Sequence, residues 1–318
     1  MCANRGENTM KALITGSEGF IGRNLSRELK DNGYDVVCCD IVPGADSQAL
    51  DIMDKQAVKD IISTSSPDVI INLAGLVGIG LSWKDPQRAV ELNTIGTINI
   101  LEAIRESGIK TKLVVVGSAG EYGRLYDHGE NVTEDMPVKP EDPYSISKYM
   151  QEMFCKIYID RYGLDISAAR LFNIVGAGQP KGFLFSDFAG GVAAAEAGVQ
   201  DQVLVGNLQS ARDYVHITDA CKALRLIIEK GRSAQVYNIC SGKAYKAREI
   251  LDMMLALAEK KIQVAADSSR MRPSDTPLIC GSHEKLTAHT GWMPQKNIEY
   301  MVEDVLAYER EEVKKQNA

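Results

Sequence analysis

The chain has 318 residues, 45% of them apolar and 25% charged, enough to bury the core of one large domain or two smaller ones. A formal charge of −7 argues against non-specific attraction to nucleic acid or an anionic membrane, while leaving room for a local basic pocket that takes an anionic ligand. Seven scattered cysteines without a CxxC pair, a polar opening without an apolar signal core, and no run of roughly 20 apolar residues point to a reduced, cytoplasmic protein without a membrane span.

Short β-branched runs alternate with longer helical patterns. KALIT (11–15), DVVCCD (35–40), DVIINLAG (68–75), KLVVVGS (112–118) and DISAARLF (165–172) are separated by segments with apolar spacing of three and four. This alternation predicts an α/β fold of the doubly wound, Rossmann kind: a parallel sheet with helices on both faces, its strands apolar throughout because both faces are covered. After Leu171 the rhythm changes to the loop NIVGAGQPKG (173–182), an Ala-rich helix near 184–198 and short strands near 202–205 and 236–239. RDYVHITDACKALRLIIEKG (212–231) resumes helix-like spacing and is expected to return to the sheet. The expected division is a dinucleotide-binding domain over 10–172, completed by part of 207–240, and a smaller substrate lobe from 173–206 and 241–318.

KALITGSEGFIG places Gly16, Gly19 and Gly22 directly after the first strand, with a helix opening at Phe20 and Ile21. Glycines there let the backbone turn tightly and approach a pyrophosphate lying on the helix N-terminus. Asp40 ends the second strand at the distance expected of a carboxylate that accepts from the adenine ribose hydroxyls. A carboxylate repels a 2′-phosphate, and Ile41 follows where an Arg would hold one, so NAD(H) is favoured over NADP(H). Asp51, with Ile52 beside it, is a candidate for the adenine.

DPYSISKYM (142–150) supplies Tyr144 and Lys148, four positions apart at the start of a helix announced by Pro143. A neighbouring ammonium favours a phenolate, so this pair suits proton transfer near neutrality, and the same Lys can reach a nicotinamide ribose. The four histidines form no metal-ligand cluster, and no metal is expected.

TGSEGFIG, Asp40, NLAG (72–75), Ser118 and the Tyr144–Lys148 pair together resemble the extended short-chain dehydrogenase/reductases that act on nucleotide sugars, over nearly the whole chain. The resemblance implies a Rossmann domain for the dinucleotide, a C-terminal lobe for a nucleoside-diphosphate sugar, and a Ser–Tyr–Lys apparatus passing hydride at sugar C4. Ser118 would orient the C4 oxygen, and Tyr144 would exchange its proton. Leu73, Ala74 and Gly75 would line the dinucleotide, and Asn93 would order a water beside Lys148 or, equally, serve as a packed or capping residue. RLFNIVGAGQ (170–179) and GNLQSARDYVHITDA (206–220) would place Asn173 on the substrate pyrophosphate and Arg212 on the nucleotide, with Lys181 and Asn207 nearby.

Within such a family the segment GSAGEYG (117–123) separates reactions. Dehydratases of this kind carry a Glu where this chain has Gly120. Glu121 comes one residue later, and in an extended segment it would face the opposite side, leaving it the lesser role of a sugar hydroxyl contact. Enzymes that epimerise C3 and C5 use a Cys and a His that this chain lacks at the corresponding places. RMRPSDTPLICGSHEKLTAHTGWMP (270–294) is most similar to GDP-4-keto-6-deoxy-D-mannose reductases, which make GDP-D-rhamnose, and implies that Arg272, Ser274 and Asp275 line the substrate pocket. The expectation is NAD(P)H-dependent reduction of a C4 ketone by a homodimer. A C4 epimerase is the nearest alternative, and a non-catalytic dinucleotide-binding regulator is one of another class.

Overall fold

The computed structural model describes residues 9–124, 130–270 and 277–317. The apolar runs form strands β1 (Lys11–Thr15), β2 (Asp35–Asp40), β3 (Ser47–Ala49), β4 (Val69–Asn72), β5 (Lys112–Ser118) and β6 (Asp165–Leu171). Further along come β7 (Asn173–Val175), β8 (Gln202–Val205), β9 (Ala211–His216), β10 (Val236–Ile239), β11 (Ala244–Lys246), β12 (Gln263–Ala266) and β13 (Leu278–Ile279). Seven of them make one all-parallel sheet in the order β10-β6-β5-β4-β1-β2-β3, with the reversal of winding between β1 and β4. Ligands bind in such sheets outside the carboxyl ends of the strands at that reversal.

Side-chain alternation divides the sheet between two cores. Ala12, Ile14, Val69, Ile71, Val114 and Val116 face one side, against Leu25 and Leu29 of helix α1 (Phe20–Asp31). Leu13, Ile70, Leu113 and Val115 face the other. They meet α2 (Lys55–Ser65) and, beyond the short helices α3 (Ile79–Lys84) and α4 (Pro86–Val90), α5 (Gly96–Ser107) and α6 (Pro143–Tyr162). Asp54 starts α2 by accepting from the Gln56 and Ala57 N–H groups, each at 3.0 Å.

The rest of the chain adds α7 (Leu184–Glu196), α8 (Ile217–Lys230), α9 (Ala247–Ala256), α10 (Glu284–Thr290) and α11 (Ile298–Asn317). Helix α8 returns to the sheet, burying Ala220, Cys221, Leu224 and Ile227 in the same core as α1. Helices α7, α9 and α11 bury Phe188, Val192, Ile250, Leu251, Val302 and Leu306 in a separate core, beside the sheet of β7, β9, β11 and β13.

Two expectations are corrected here. The helix-like reading of 212–231 holds only from Ile217, because residues 211–216 form β9, paired on both edges with β7, β11 and β13. Residues 241–318 do not all belong to the substrate lobe: Leu286 and Trp292 enter the core of the large sheet, and the Trp292 indole donates to the Asp219 carbonyl at 3.0 Å. No described helix is long and apolar enough to cross a membrane.

Candidate active site

Beyond the end of β1 the chain turns through Gly16, whose φ of +73° suits glycine. A Cβ there would stand 2.7 Å from the Ala74 nitrogen, so only glycine lets this turn touch the chain leaving β4. At Gly22 a Cβ would lie 2.2 Å from the Gly16 carbonyl oxygen, which fixes how closely α1 seats on the turn. Helix α1 has no side-chain cap at Gly19 and no acidic residue in its first turn, so its leading N–H groups and dipole face outward for an anion. Phe20 and Ile21 open the helix, half-buried against the sheet core. The Ser17 hydroxyl, buried in the turn, has no hydrogen-bond partner among the described residues.

The Asp40 carboxylate closes the far side. It accepts the Glu18 N–H at 2.9 Å and the Val42 N–H at 3.2 Å, tying β2 to the glycine turn. A Cβ on Gly44 would meet the Glu18 carboxylate at 2.8 Å, so a second acid stands by the same turn. Asp51 accepts from Met53 N–H at 2.9 Å. The Ile52 side chain points inward and is 3% exposed, filling the space over Gly96, so it offers a ligand no side-chain surface. These residues fit a dinucleotide: a glycine cradle, an uncapped helix end and a carboxylate at the second strand.

Ser118 ends β5, and α6 brings Tyr144 and Lys148 to it. Asp142 caps α6, accepting the Ser145 N–H at 2.9 Å and its hydroxyl at 2.7 Å, and Pro143 occupies the first turn. That start puts Tyr144 one turn before Lys148 on the same face. The Tyr144 phenol is hydrogen-bonded to Ser118. Lys148, buried, donates to the Val116 carbonyl at 2.9 Å. The expectation that the Lys148 ammonium makes Tyr144 more acidic is not met. Burial dominates both groups, pushing the phenol up to about 12 against the Ser118 hydrogen bond and the ammonium down to about 8. Tyr144 is therefore held protonated through the neutral range.

Of the two readings of Asn93, the structure shows the packed one. It lies in a single π turn (Glu91–Ile95) between α4 and α5, buried, with its amide accepting the Leu76 N–H at 2.9 Å and donating to the Leu76 carbonyl at 3.2 Å and the Ser147 hydroxyl at 2.8 Å. The amide is consumed in clamping the loop after β4 to α6. Gly75 makes the clamp possible, since a Cβ there would meet the Asn93 oxygen at 2.3 Å. Leu73 and Ala74 pack on the two opposite cores of the sheet.

Glu121 is also reassigned. After Ser118 the chain does not stay extended but enters a 3₁₀ turn, Ala119–Tyr122. The Ser118 hydroxyl accepts the Gly120 N–H at 3.1 Å, and the Glu121 carboxylate returns to accept the Ser118 N–H at 2.7 Å, a capping box. Glu121 is fully buried and its other oxygen meets Arg170 Nε at 3.2 Å, so it is no sugar contact. Gly120 packs against the start of α6: a Cβ there would stand 2.4 Å from the buried Ser145 hydroxyl oxygen and 3.3 Å from that of Ser118.

In the lobe, Asn173 donates to the Asp213 carbonyl at 3.0 Å, and Arg212 donates to the Ala211 carbonyl at 2.8 Å. Asn207 accepts the Gln209 N–H at 2.9 Å, the geometry of a local turn. The Lys181 ammonium is engaged by Glu309, which is 5% exposed and needs a cation, and by the Ser186 carbonyl at 3.1 Å, while its side chain stays 60% exposed. Arg272, Ser274 and Asp275 lie outside the described residues. Asp213, beside Arg212, is buried and accepts from Ser241, Gly242 and Gly281, so it organises the loops behind the lobe sheet.

Sequence reading missed a buried polar chain beneath the site. Thr15 donates to Asn72 at 2.7 Å, Asn72 to Thr97 at 2.9 Å, Thr97 bonds Gln151 at 3.2 Å, and Gln151 donates at 3.2 Å to the same Val116 carbonyl that receives Lys148. The signal was available, as polar residues at inward positions of apolar elements must find partners.

A parallel sheet with a glycine-lined turn at its winding reversal, and a Ser–Tyr–Lys trio beside it, defines an oxidoreductase-type enzyme of the Rossmann fold that uses a nicotinamide dinucleotide. The chain belongs to the GDP-mannose 4,6 dehydratase family, whose model matches residues 13–305. It is 27% identical to the GDP-6-deoxy-D-mannose reductase of Pseudomonas aeruginosa, over 94% of this chain and 97% of that one. It is 30% identical to UDP-glucose 4-epimerase 4 of rice, Oryza sativa, over 92% and 88%. Among solved structures it is similar to RMD from Pseudomonas aeruginosa complexed with NADPH, with a TM-score of 0.87 and 26% identity over 96% of this chain and all of that one. The Thermus thermophilus UDP-glucose 4-epimerase complexed with NAD has a TM-score of 0.85 and 28% identity, over 95% and 99%.

Replacing Gly16 by Ala sets a side chain against the backbone at Leu73–Ala74 in an unfavourable φ region, which weakens dinucleotide binding by at least about tenfold while the fold persists. Fluorescence titration with NADH alongside circular dichroism measures it; a folded variant with wild-type affinity contradicts the cradle.

Proposed function

We propose that the protein reduces the C4 ketone of a nucleoside-diphosphate 4-keto-6-deoxyhexose, taking GDP-4-keto-6-deoxy-D-mannose to GDP-D-rhamnose. The observation that carries this reading is a complete Ser118–Tyr144–Lys148 trio next to a glycine at position 120. The trio serves hydride exchange at C4, and Gly120 leaves the position beside Ser118 without the second acid or base that water removal across C5 and C6 would need. The similarity to the Pseudomonas reductase supports the same choice within a family named for a dehydratase.

Gly16, Gly19, Gly22 and Asp40 would hold the dinucleotide, with Lys148 on its nicotinamide ribose. Bound there, a reduced nicotinamide supplies the hydride. Tyr144, protonated through the neutral range, gives its proton to the oxygen that becomes the C4 hydroxyl, and solvent restores it. The Ser118 hydroxyl, already bonded to Tyr144, orients that oxygen. Asn173 and Arg212, on the lobe strands, would meet the pyrophosphate and nucleotide, a planar guanidinium suiting phosphate. We further propose a preference for NADH, since Asp40 and Glu18 bring two carboxylates to the turn where a 2′-phosphate would sit.

A second copy of this chain fits the exposed face of the helices beside the site. Ile146, Met153 and Ile157 of α6 and Ile95 of the π turn are 38–53% exposed, an apolar stripe that an antiparallel helix pair from another protomer would cover. Ile157→Glu would then sediment as a monomer where the wild type sediments as a dimer; a monomeric wild type refutes the pairing.

Incubation with GDP-4-keto-6-deoxy-D-mannose and either reduced cofactor tests the reaction. Expected are one NADH consumed per sugar, NADPH used at least about tenfold less well, and a fall in kcat of about a hundredfold or more in Tyr144→Phe with NADH affinity retained. Interconversion of a nucleotide hexose and its C4 epimer without net cofactor loss would make it an epimerase, and equal behaviour of wild type and variant would leave a non-catalytic dinucleotide binder.

A further inference from the structure

We propose that Glu121 is a positioning residue for the reaction: from beneath the site its carboxylate fixes the Ser118 backbone to β6 and sets a negative charge behind the Tyr144 phenol. The inference rests on Tyr144 being the proton donor.

The geometry is unusual for a carboxylate. Glu121 is 0% exposed, and an uncompensated charge at such a place costs several kcal/mol. The chain accommodates it at two points. Gly117 clears its space, since a Cβ there would be 2.5 Å from Oε1, and Arg170, itself 4% exposed, supplies the cation. The other end of the contact is the N–H of Ser118, at 2.7 Å, so the residue that orients the substrate oxygen is anchored by this carboxylate.

Arg170 is shared. Glu152, on the same helix as Tyr144 and Lys148, takes Nη2 at 2.7 Å and Nε at 3.1 Å, while Glu121 takes only Nε. Two carboxylates thus face one guanidinium, whose plane lies over the Tyr122 ring at 4.9 Å. The remaining titratable groups around the site are Tyr144 and Lys148 of α6 and its cap Asp142. Burial, then repulsion from Glu152, pushes Glu121 up to about 8, against the pull of Arg170. Its charge in turn raises both Tyr144 and Lys148. A proton arriving at or leaving Glu121 is felt at the catalytic phenol.

The signs distinguish this role from simple packing. Glu121→Gln keeps an acceptor for the Ser118 N–H and removes the charge, so Tyr144 loses its proton at lower pH and the alkaline limb of kcat moves down by about one pH unit. Glu152→Gln removes a carboxylate that shares Arg170 but leaves Glu121 itself ionised at the pH of that limb, so the limb moves by less than in Glu121→Gln. Both variants retain NADH affinity. A limb in Glu121→Gln that coincides with wild type, or that moves no further than in Glu152→Gln, overturns the proposal. Tyrosinate absorbance gives the same answer without substrate: above about pH 11, the signal lost on adding Tyr144→Phe should be larger in the Glu121→Gln background than in wild type or in the Glu152→Gln background. Absence of wild-type turnover would refute the reaction, and a tyrosinate signal in Glu121→Gln equal to wild type would refute the role of Glu121.

Discussion

Seven parallel strands finishing at one edge impose the constraint on which the rest of this protein depends. With both faces covered, the strand ends are where backbone and polar side chains meet one another at close range, and each needs a partner. At β1 and β4 the solution is contact: Gly16 lets the first turn lie against Leu73–Ala74. At β5 it is a shared acceptor, the Val116 carbonyl, which takes Lys148 and Gln151 together. The polar chain from Thr15 through Asn72 and Thr97 to Gln151 joins these two solutions, so the cofactor cradle and the catalytic lysine rest on one hydrogen-bonded floor.

The segment GSAGEYG condenses the same logic. Gly117 makes room for the Glu121 carboxylate, and Gly120 makes room for the Ser145 hydroxyl of α6 beside Ser118. Gly123, with φ at +64°, accepts the approach of the Lys139 carbonyl, which a Cβ would meet at 2.0 Å. Ser118 is left as the only polar side chain of the segment facing the reaction, with its carboxylate neighbour folded behind it. A single hydroxyl and a single phenol suit a proton and hydride exchanged at one carbon.

Strands β1, β2, β4, β5 and β6 were legible because runs such as LVVV and VIIN can be satisfied only where both faces are buried. The trio was legible because helical spacing alone puts Tyr144 and Lys148 on one face. Strand β9 was misread since its alternation is short and runs into α8 without a break. Glu121 was misplaced by assuming an extended chain, although Ser118-x-x-Glu121 is itself a capping-box pattern that announces a turn. The electrostatics of Lys148 and Tyr144 lay beyond sequence reading: which of burial and mutual attraction wins depends on where the ammonium points, and it points to Val116.

Glycines that shape the cradle, a phenol kept protonated and a glycine beside Ser118 where elimination would need a carboxylate together describe a one-step reduction. The most direct measurement follows deuterium from NADH labelled on the nicotinamide C4 into the product formed from a 4-keto-6-deoxy nucleotide sugar. The account requires one deuterium at sugar C4 for each NADH consumed, in a single C4 configuration. Unlabelled product, or a sugar inverted at C4 while NADH persists, would contradict it.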